Sequence, residues 1–496
     1  MLMKLWPIIF NRRFFFEIIF ILTVGAVSGG MLIKASQMEP KWTKVIILAA
    51  IGITGLIITE EREKKLLYLA AFLLPINLSV NPIYIEVAFR RPINGFEIRA
   101  FDIPFLMLML MWLARIIFNR DEKICFHLWF TIPYLIFWGL AVASTSRISS
   151  HILIKTATLL IVLKNWLIFI YLANNLKDRR TIDKLISVIL LSGVIQAYIG
   201  LAQYLNGGPL GLTILGEVQD LLTMPGETTI RFGGTIGHPN KLALFLAFIL
   251  QINIAALFIP CSKLKKHLLF ISFSSMAMTL ILTYSRGAWS SLIMGGTVNT
   301  YICMVKRTQR KIASAIIVIF VIITFAVTII ATVPSVSKRI YGDDHGSADI
   351  RKPLKVVAKN IIRHYYWLGV GLNNYCSAIH RFDITREAVS WHFPAPVHHE
   401  YLLVTAELGI PAGVLFIYLL IYGFYLAASI SLSKADPVLT FLGAGFLAGL
   451  IGWSFHHTVL FEYTVFYHNI WFYFGILQAI LTTMRTNPDA SQFIDG

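Results

Sequence analysis

Runs of apolar residues bounded by charge recur along the chain, near 14–33, 42–59, 66–80, 101–118, 125–144, 152–172, 185–205, 241–259, 267–284, 287–305, 312–333, 408–427, 437–455 and 467–483. Each approaches the ~20 apolar residues that a helix needs to cross the hydrocarbon core of a bilayer. The pattern predicts an all-α polytopic membrane protein with about 12–14 transmembrane helices. Basic residues mark every second connector. Lys4, Arg12 and Arg13 precede the first run, and EREKK at 61–65, Arg115/Arg120/Lys123, Lys177/Arg179/Arg180/Lys184, Lys263/Lys265/Lys266 and Lys306/Arg307/Arg310/Lys311 follow in turn. Short loops rich in Lys and Arg stay inside, so these connectors and both termini are expected to be cytoplasmic. Ala26, Val27 and Ser28 form only a weak cleavage site, and the first run reads as a span or an uncleaved signal anchor.

Two connectors break the short pattern, and both fall on the outer side: 206–240, rich in Gly and Pro, and 334–397, the longest, between the eleventh and twelfth spans. Long loops with structure of their own are usually functional, so chemistry is expected outside. The chain accordingly divides into N-terminal transmembrane helices (1–205) and a C-terminal membrane domain (206–496) that carries both outer loops. Within the longer loop, 347–364 predicts an amphipathic helix. Ile350, Leu354, Val357 and Ile361 form one face, and Lys352, Lys355, Lys359 and Arg363 the other. That helix either rests its apolar stripe at the bilayer interface with its basic face toward anionic headgroups, or caps the bundle.

Composition narrows the classes. Only 14% of the 496 residues are charged and 57% are hydrophobic, against roughly 25% charged in soluble domains, which excludes large soluble domains. The formal charge of +17, from 43 Lys and Arg against 26 Asp and Glu, would point to nucleic acid in a soluble protein. In a polytopic one it reports orientation first, and no nucleic-acid partner is expected. Cys125, Cys261, Cys303 and Cys376 are far apart with no C-x-x-C, which argues against a disulfide framework and a zinc site. No similarity between halves suggests a transporter built by duplication.

Three clusters carry candidate chemistry. RFGGTIGHPN (231–240) sets three glycines, His238 and Arg231 just before a span. Asn240 is expected to cap the following helix and leave its N–H groups facing a phosphate, unless the stretch is an ordinary turn. TYSRGAW (283–289) puts Arg286 between two apolar runs with scarcely any loop around it. A cation there is costly unless it is used, and a guanidinium grips a diphosphate through parallel hydrogen bonds. HHEYLLVTAELG (398–409) lies where the long loop returns to the membrane; in a helix, His398, Tyr401, Leu402 and Thr405 share a face. A histidine there can take a proton from a hydroxyl near neutral pH. The HHE order lacks the H-E-x-x-H spacing that puts two ligands on one turn, so no metal is expected. Lys164 is expected to pair with a carboxylate, His456, His457 and His468 to line a cavity, and Tyr365, Tyr366, Trp367 and Trp391 to anchor at the interface.

The stretches RFGGTIGHPNKLALF, LTYSRGAWSSL, IRHYYWLGVGLNNY and HHEYLLVTAELGIPAG, in this order and on this side, resemble the O-antigen ligase/polymerase superfamily. That superfamily includes capsule, exopolysaccharide and teichuronic acid polymerases. The resemblance implies a GT-C-like membrane glycosyltransferase of the bacterial cytoplasmic membrane, its site facing outward. It implies a polyprenyl-diphosphate-linked glycan as donor, a glycan or lipid-glycan as acceptor, membrane lipids as surroundings, and inverting transfer with no metal or cofactor. Carried over by motif, Arg231 and Arg286 become diphosphate ligands, with Arg351 and Arg363 as further candidates, and His398 becomes the base. His399 stands where the family commonly has Asn, so either imidazole is a candidate. His238, Asn240, Tyr401 and Glu407 are supporting candidates. Ligase and polymerase both stay open, although no outer-loop arginine shows the Arg-x10-Gly spacing of some polymerases. The alternative class is a lipid-linked oligosaccharide flippase or other polysaccharide transporter.

Overall fold

The computed structural model describes residues 60–87, 91–119, 122–219, 221–223, 230–310, 349–433, 436–460 and 462–486, with isolated positions between 312 and 337. The runs at 14–33 and 42–59, most of 312–333, and both termini lie outside the described residues. The chain divides into two compact units, one of Met1–Leu73 with Ala100–Ile124, the other of Leu74–Arg99 with Cys125–Gly496.

In the first unit, α1 (Arg62–Leu73) packs on α2 (Asp102–Phe118) through buried Leu66, Leu67, Ala70 and Ala71 on one side and Phe105, Leu108 and Trp112 on the other. A Glu63–Arg115 ion pair joins the two helices. The run at 66–80 is not a span: its helix has 12 residues, about 18 Å at 1.5 Å per residue, against the ~30 Å of a bilayer core. Pro75 and Asn77 follow the helix, and Ser79–Tyr84 instead forms β1, paired antiparallel with β2 (Gly95–Arg99).

Among its described residues the second unit is helical apart from β1–β2 and a short pair, β3 (Leu222–Thr223) with β4 (Ile230–Arg231). Six of its described helices are long and apolar enough to cross a membrane: α3 (Leu128–Ser146), α4 (Ile152–Asn175), α5 (Arg179–Asn206), α6 (Pro239–Phe258), α13 (Ile410–Leu432) and α14 (Pro437–His456). The protein is therefore a multi-pass membrane protein. Three further helices fall on expected runs: α7 (Lys263–Leu282), α8 (Arg286–Thr308) and α15 (Asn469–Thr486). The core is the contact of α6 with α14, flanked by α8. Gly445, Gly449 and Gly452 on α14 let the backbones approach, with Gly445 against Gln251 and Ala255, Gly449 against Phe248 and Gly452 against Ser291. Within this core Asn299 Nδ2 donates to the Gln251 carbonyl at 2.6 Å. Lys164 on α4 stands within electrostatic reach of Glu97 on β2, the carboxylate its position called for.

Both irregular connectors are pinned to these helices. Gln203 of α5 donates to Glu217 at 2.6 Å and accepts from Gly234 N at 2.9 Å, while Gln196 accepts from Thr235 N at 3.1 Å. The longer connector carries α9 (Arg351–His364), α10 (Tyr375–Phe382) and α11 (Val389–His392), and α12 (Glu400–Leu408) follows directly after it. The apolar stripe of α9 does not lie on the bilayer. Leu354, Val357 and Ile361 are buried in protein, and α9 packs against α10 and α12, so the helix caps the bundle.

Candidate functional site

The glycine-rich turn before α6 needs left-handed backbone at Gly234 (φ 58°) and Gly237 (φ 84°), which glycine adopts without steric cost. It delivers His238, not Asn240, as the helix cap: His238 Nδ1 accepts from Asn240 N at 3.1 Å, with Pro239 as the first helical residue. Asn240 has another task. Its Oδ1 accepts from Arg231 Nη2 at 2.7 Å, and Arg231 Nε donates to the Thr283 carbonyl at 3.0 Å. Arg231, only 9% exposed, thus ties the first motif to the second.

In the second motif the chain turns through left-handed Tyr284 (φ 56°) and starts α8 at Arg286, which is half-buried. A Cβ on the next residue, Gly287, would stand 2.8 Å from His456 Cδ2 and 2.9 Å from its Nε2, so the start of α8 touches the end of α14. Gly287→Ala must displace the His456 ring or the first turn of α8. We expect this substitution to lower activity by about tenfold or more with folding retained, as checked by the transfer rate and by the thermal unfolding midpoint.

The third motif is bound into the same end of the bundle. Glu400 N donates to the His457 carbonyl at 2.9 Å and Tyr401 OH to the Ser454 carbonyl at 2.9 Å, which seats α12 on the end of α14. Glu400, fully buried, accepts three backbone N–H groups from the loop before α15: Glu462 at 2.8 Å, Tyr463 at 3.1 Å and Thr464 at 2.6 Å. At the other end of α12, Glu407 accepts from Asn373 (3.1 Å), Asn374 (3.1 Å) and Tyr375 (3.0 Å), at the start of α10. Burial pushes the Glu407 carboxyl up, to about 8, against those three donors. Each carboxylate thus fills a nest of amides, and α12 is a strut held at both ends. Neither clamp was legible in the motif.

The two neighbouring histidines differ. His399 caps α12, its Nδ1 accepting from Leu402 N at 3.3 Å. In a neutral ring that bond places the proton on Nε2 and leaves no second lone pair for a substrate. His398 is not the cap; its ring packs beside Phe393 at 5.9 Å. Burial and the charge of Arg351 hold His398 down, to about 4, while a backbone contact with Pro396 works the other way. Burial, with Lys355 and Lys359, also holds His399 below its ordinary value.

Arg351, the first residue of α9, is within electrostatic reach of both His398 and His456. Arg231, Arg286, Arg351, His398 and His456 are therefore gathered at one end of the second unit, where α6, α8, α9, α12 and α14 converge. Arg363 is not brought there: it is exposed at the far end of α9, about 18 Å from Arg351 by helix rise. Tyr365, Tyr366, Trp367 and Trp391 are exposed in the same connector. Among the described residues no group of three His, Cys, Asp or Glu is arranged to hold a metal ion.

Residues 271–417 match the O-antigen ligase family. The stretch runs from within α7 into α13 and takes in Arg286, Arg351, Arg363, His398 and both clamp glutamates, while Arg231, His238 and Asn240 precede it. No curated protein matches the chain.

Proposed function

We propose that this chain, whose residues 271–417 match the O-antigen ligase family, is a polysaccharide ligase- or polymerase-type membrane enzyme that transfers or polymerises glycan from an undecaprenyl-diphosphate carrier. The acceptor is a hydroxyl at the outer face of the bacterial cytoplasmic membrane. On this reading 206–496 is the GT-C-like catalytic membrane domain and 1–205 supports it, with both termini cytoplasmic. The observation that carries the proposal is the convergence of Arg231, Arg286 and Arg351 with the His398 and His456 rings at one end of the bundle.

The acceptor hydroxyl attacks the anomeric carbon from the side opposite the diphosphate. The new C–O bond forms as the bond to the diphosphate oxygen breaks, the electron pair leaves with the carrier, and configuration inverts. Arg286 and Arg231 meet the charge that develops on the leaving group, with Arg351 nearby. The Arg231 side chain is held by the Thr283 carbonyl and Asn240 before substrate arrives, which spares reorganisation at the moment of reaction. His398 takes the hydroxyl proton. His399 is committed to its helix cap, which favours His398 for this role.

A base held near 4 is already neutral at pH 7. Protonation removes its lone pair, so kcat/KM should be flat from neutral pH down to about 5 and fall below that, rather than halving near the ~6.5 of a free imidazole. Arg351→Ala should move that midpoint upward, because it removes a repelling charge. A profile with its acid limb at 6.5 in the wild type contradicts the assignment. The class of activity is tested with purified protein, a defined undecaprenyl-diphosphate glycan and EDTA. Release of the carrier diphosphate with glycan transfer supports the proposal, and translocation across vesicles without bond cleavage contradicts it.

A further inference from the structure

The transfer chemistry leaves one buried imidazole without a task. His456, the last residue of α14, is 2% exposed, and no group among the described residues forms a hydrogen bond with either of its ring nitrogens. Its neighbour differs. The His457 ring stacks 3.8 Å from Trp453 and its Nδ1 donates to the Trp453 carbonyl at 2.7 Å, so packing and a backbone bond account for that residue. A leucine would fill the place of His456 without burying an unmet polar atom, and an imidazole kept there calls for a partner outside the chain.

The direction of the ring narrows what that partner is. Nδ1 is sealed in protein, whereas the Cδ2–Nε2 edge faces the second residue of α8: a Cβ on Gly287 would lie 2.8 Å from Cδ2 and 2.9 Å from Nε2. α8 has 23 residues, and its cap, Ser285, makes no side-chain hydrogen bond to the first turn. The Ser285 carbonyl takes Ala288 N at 3.0 Å and Trp289 N at 3.1 Å, so the Gly287 amide lies ahead of the helix's own bonds. A helix start of this kind favours an anion. Arg286 extends from the same turn, and Arg351 on α9 is within electrostatic reach of the His456 ring. Glu400, the carboxylate at this end of α12, is committed to three backbone N–H groups and does not compete.

We propose that His456 is a further catalytic residue, whose Nε2–H donates to a phosphate oxygen of the leaving diphosphate at the start of α8. This rests on the reading of the chain as a transferase with a diphosphate-linked donor, and it names one more group that touches that donor. A neutral imidazole carries one proton. On Nδ1 that proton would be buried with no acceptor, so it belongs on Nε2, at the edge that faces α8. Gly287 lets the ring come that close to the helix start. The bond strengthens as charge gathers on the departing diphosphate, so it acts on the rate as well as on binding.

Binding measured without transfer separates this assignment from the donor reading. Undecaprenyl diphosphate lacking its glycan is titrated into full-length protein in phosphatidylcholine nanodiscs, with occupancy read by native mass spectrometry and folding checked by thermal unfolding. We expect His456→Leu, which keeps the bulk and removes both nitrogens, to weaken binding by about tenfold or more. His456→Gln can place an amide N–H where Nε2 stands and should stay within about threefold of the wild type, whereas the shorter His456→Asn should not. His398→Ala should bind the diphosphate like the wild type, since the base meets the acceptor hydroxyl and not the leaving group. In steady-state transfer the His456→Leu loss should appear in kcat as well. Wild-type affinity in His456→Leu, or a loss that the Gln and Asn variants share equally, overturns the assignment. So does unchanged affinity with transfer abolished, which would make His456 a base. A wild type with no affinity for undecaprenyl diphosphate overturns the donor reading and this assignment together. If His456→Leu fails to fold, the comparison of Gln with Asn decides.

Discussion

Replacing Arg286 by alanine should reduce glycan transfer about 10²–10³-fold, the usual loss when one group that stabilises developing charge is removed. Arg286 opens α8 within one residue of the His456 contact and three residues after the carbonyl that holds Arg231. The diphosphate gains charge as the glycosidic bond breaks, so the loss should fall mainly on kcat, with KM for the donor changed less. Arg286→Lys should recover part of the rate, since it restores the charge without the bidentate fork. Steady-state transfer with purified variants measures this, with thermal unfolding as the control for folding. A change confined to KM would make Arg286 a ground-state binding residue only.

Glu400→Ala should be the most damaging single change to stability in the matched region. The wild-type carboxylate satisfies three backbone N–H groups in a fully buried place. Alanine leaves all three without a partner, and at about 1–3 kcal/mol for each unmet buried group the loss should be on the order of 3 kcal/mol or more. Glu400 adjoins His399 and anchors the loop before α15, so the expected result is a protein that unfolds at lower temperature and transfers glycan poorly. Thermal unfolding in detergent reads the first effect. A midpoint shift corresponding to less than about 1 kcal/mol would mean that the loop finds other partners.

Much of the membrane architecture was legible because bilayer thickness imposes one length on every span, and hydropathy reads that length directly. The expected runs that became α3, α4, α5, α6, α13 and α14 all met it. The run at 66–80 misled because average hydropathy passes over Pro75 and Asn77, which end the helix. The amphipathic pattern of α9 was real, but a period of 3.6 residues shows that a face is apolar and not whether lipid or protein covers it. For the cap on α6, Pro239 is a better signal than Asn240. Proline favours the first helical position, which makes the residue before it the cap. The clamps made by Glu400 and Glu407 were hidden for a different reason: their amide partners lie 62–64 and 32–34 residues away in the chain. Local pattern carries no trace of such distant donors. Arg231, Arg286 and His398 were recognisable because a charge or an imidazole beside an apolar run has few reasons to be there. How they meet, through Thr283, Gly287 and the end of α14, follows only from the fold.

The proposed transfer depends most on His398 acting as the base beside cations that hold the leaving diphosphate. The direct measurement is the transfer rate of purified His398→Ala and His399→Ala proteins, with a defined undecaprenyl-diphosphate glycan and acceptor, alongside their unfolding midpoints. The expected result is a loss of about 10²–10⁴-fold for His398→Ala at wild-type stability, with His399→Ala losing stability first, as a helix cap would. Transfer by the His398→Ala protein at the wild-type rate would contradict it.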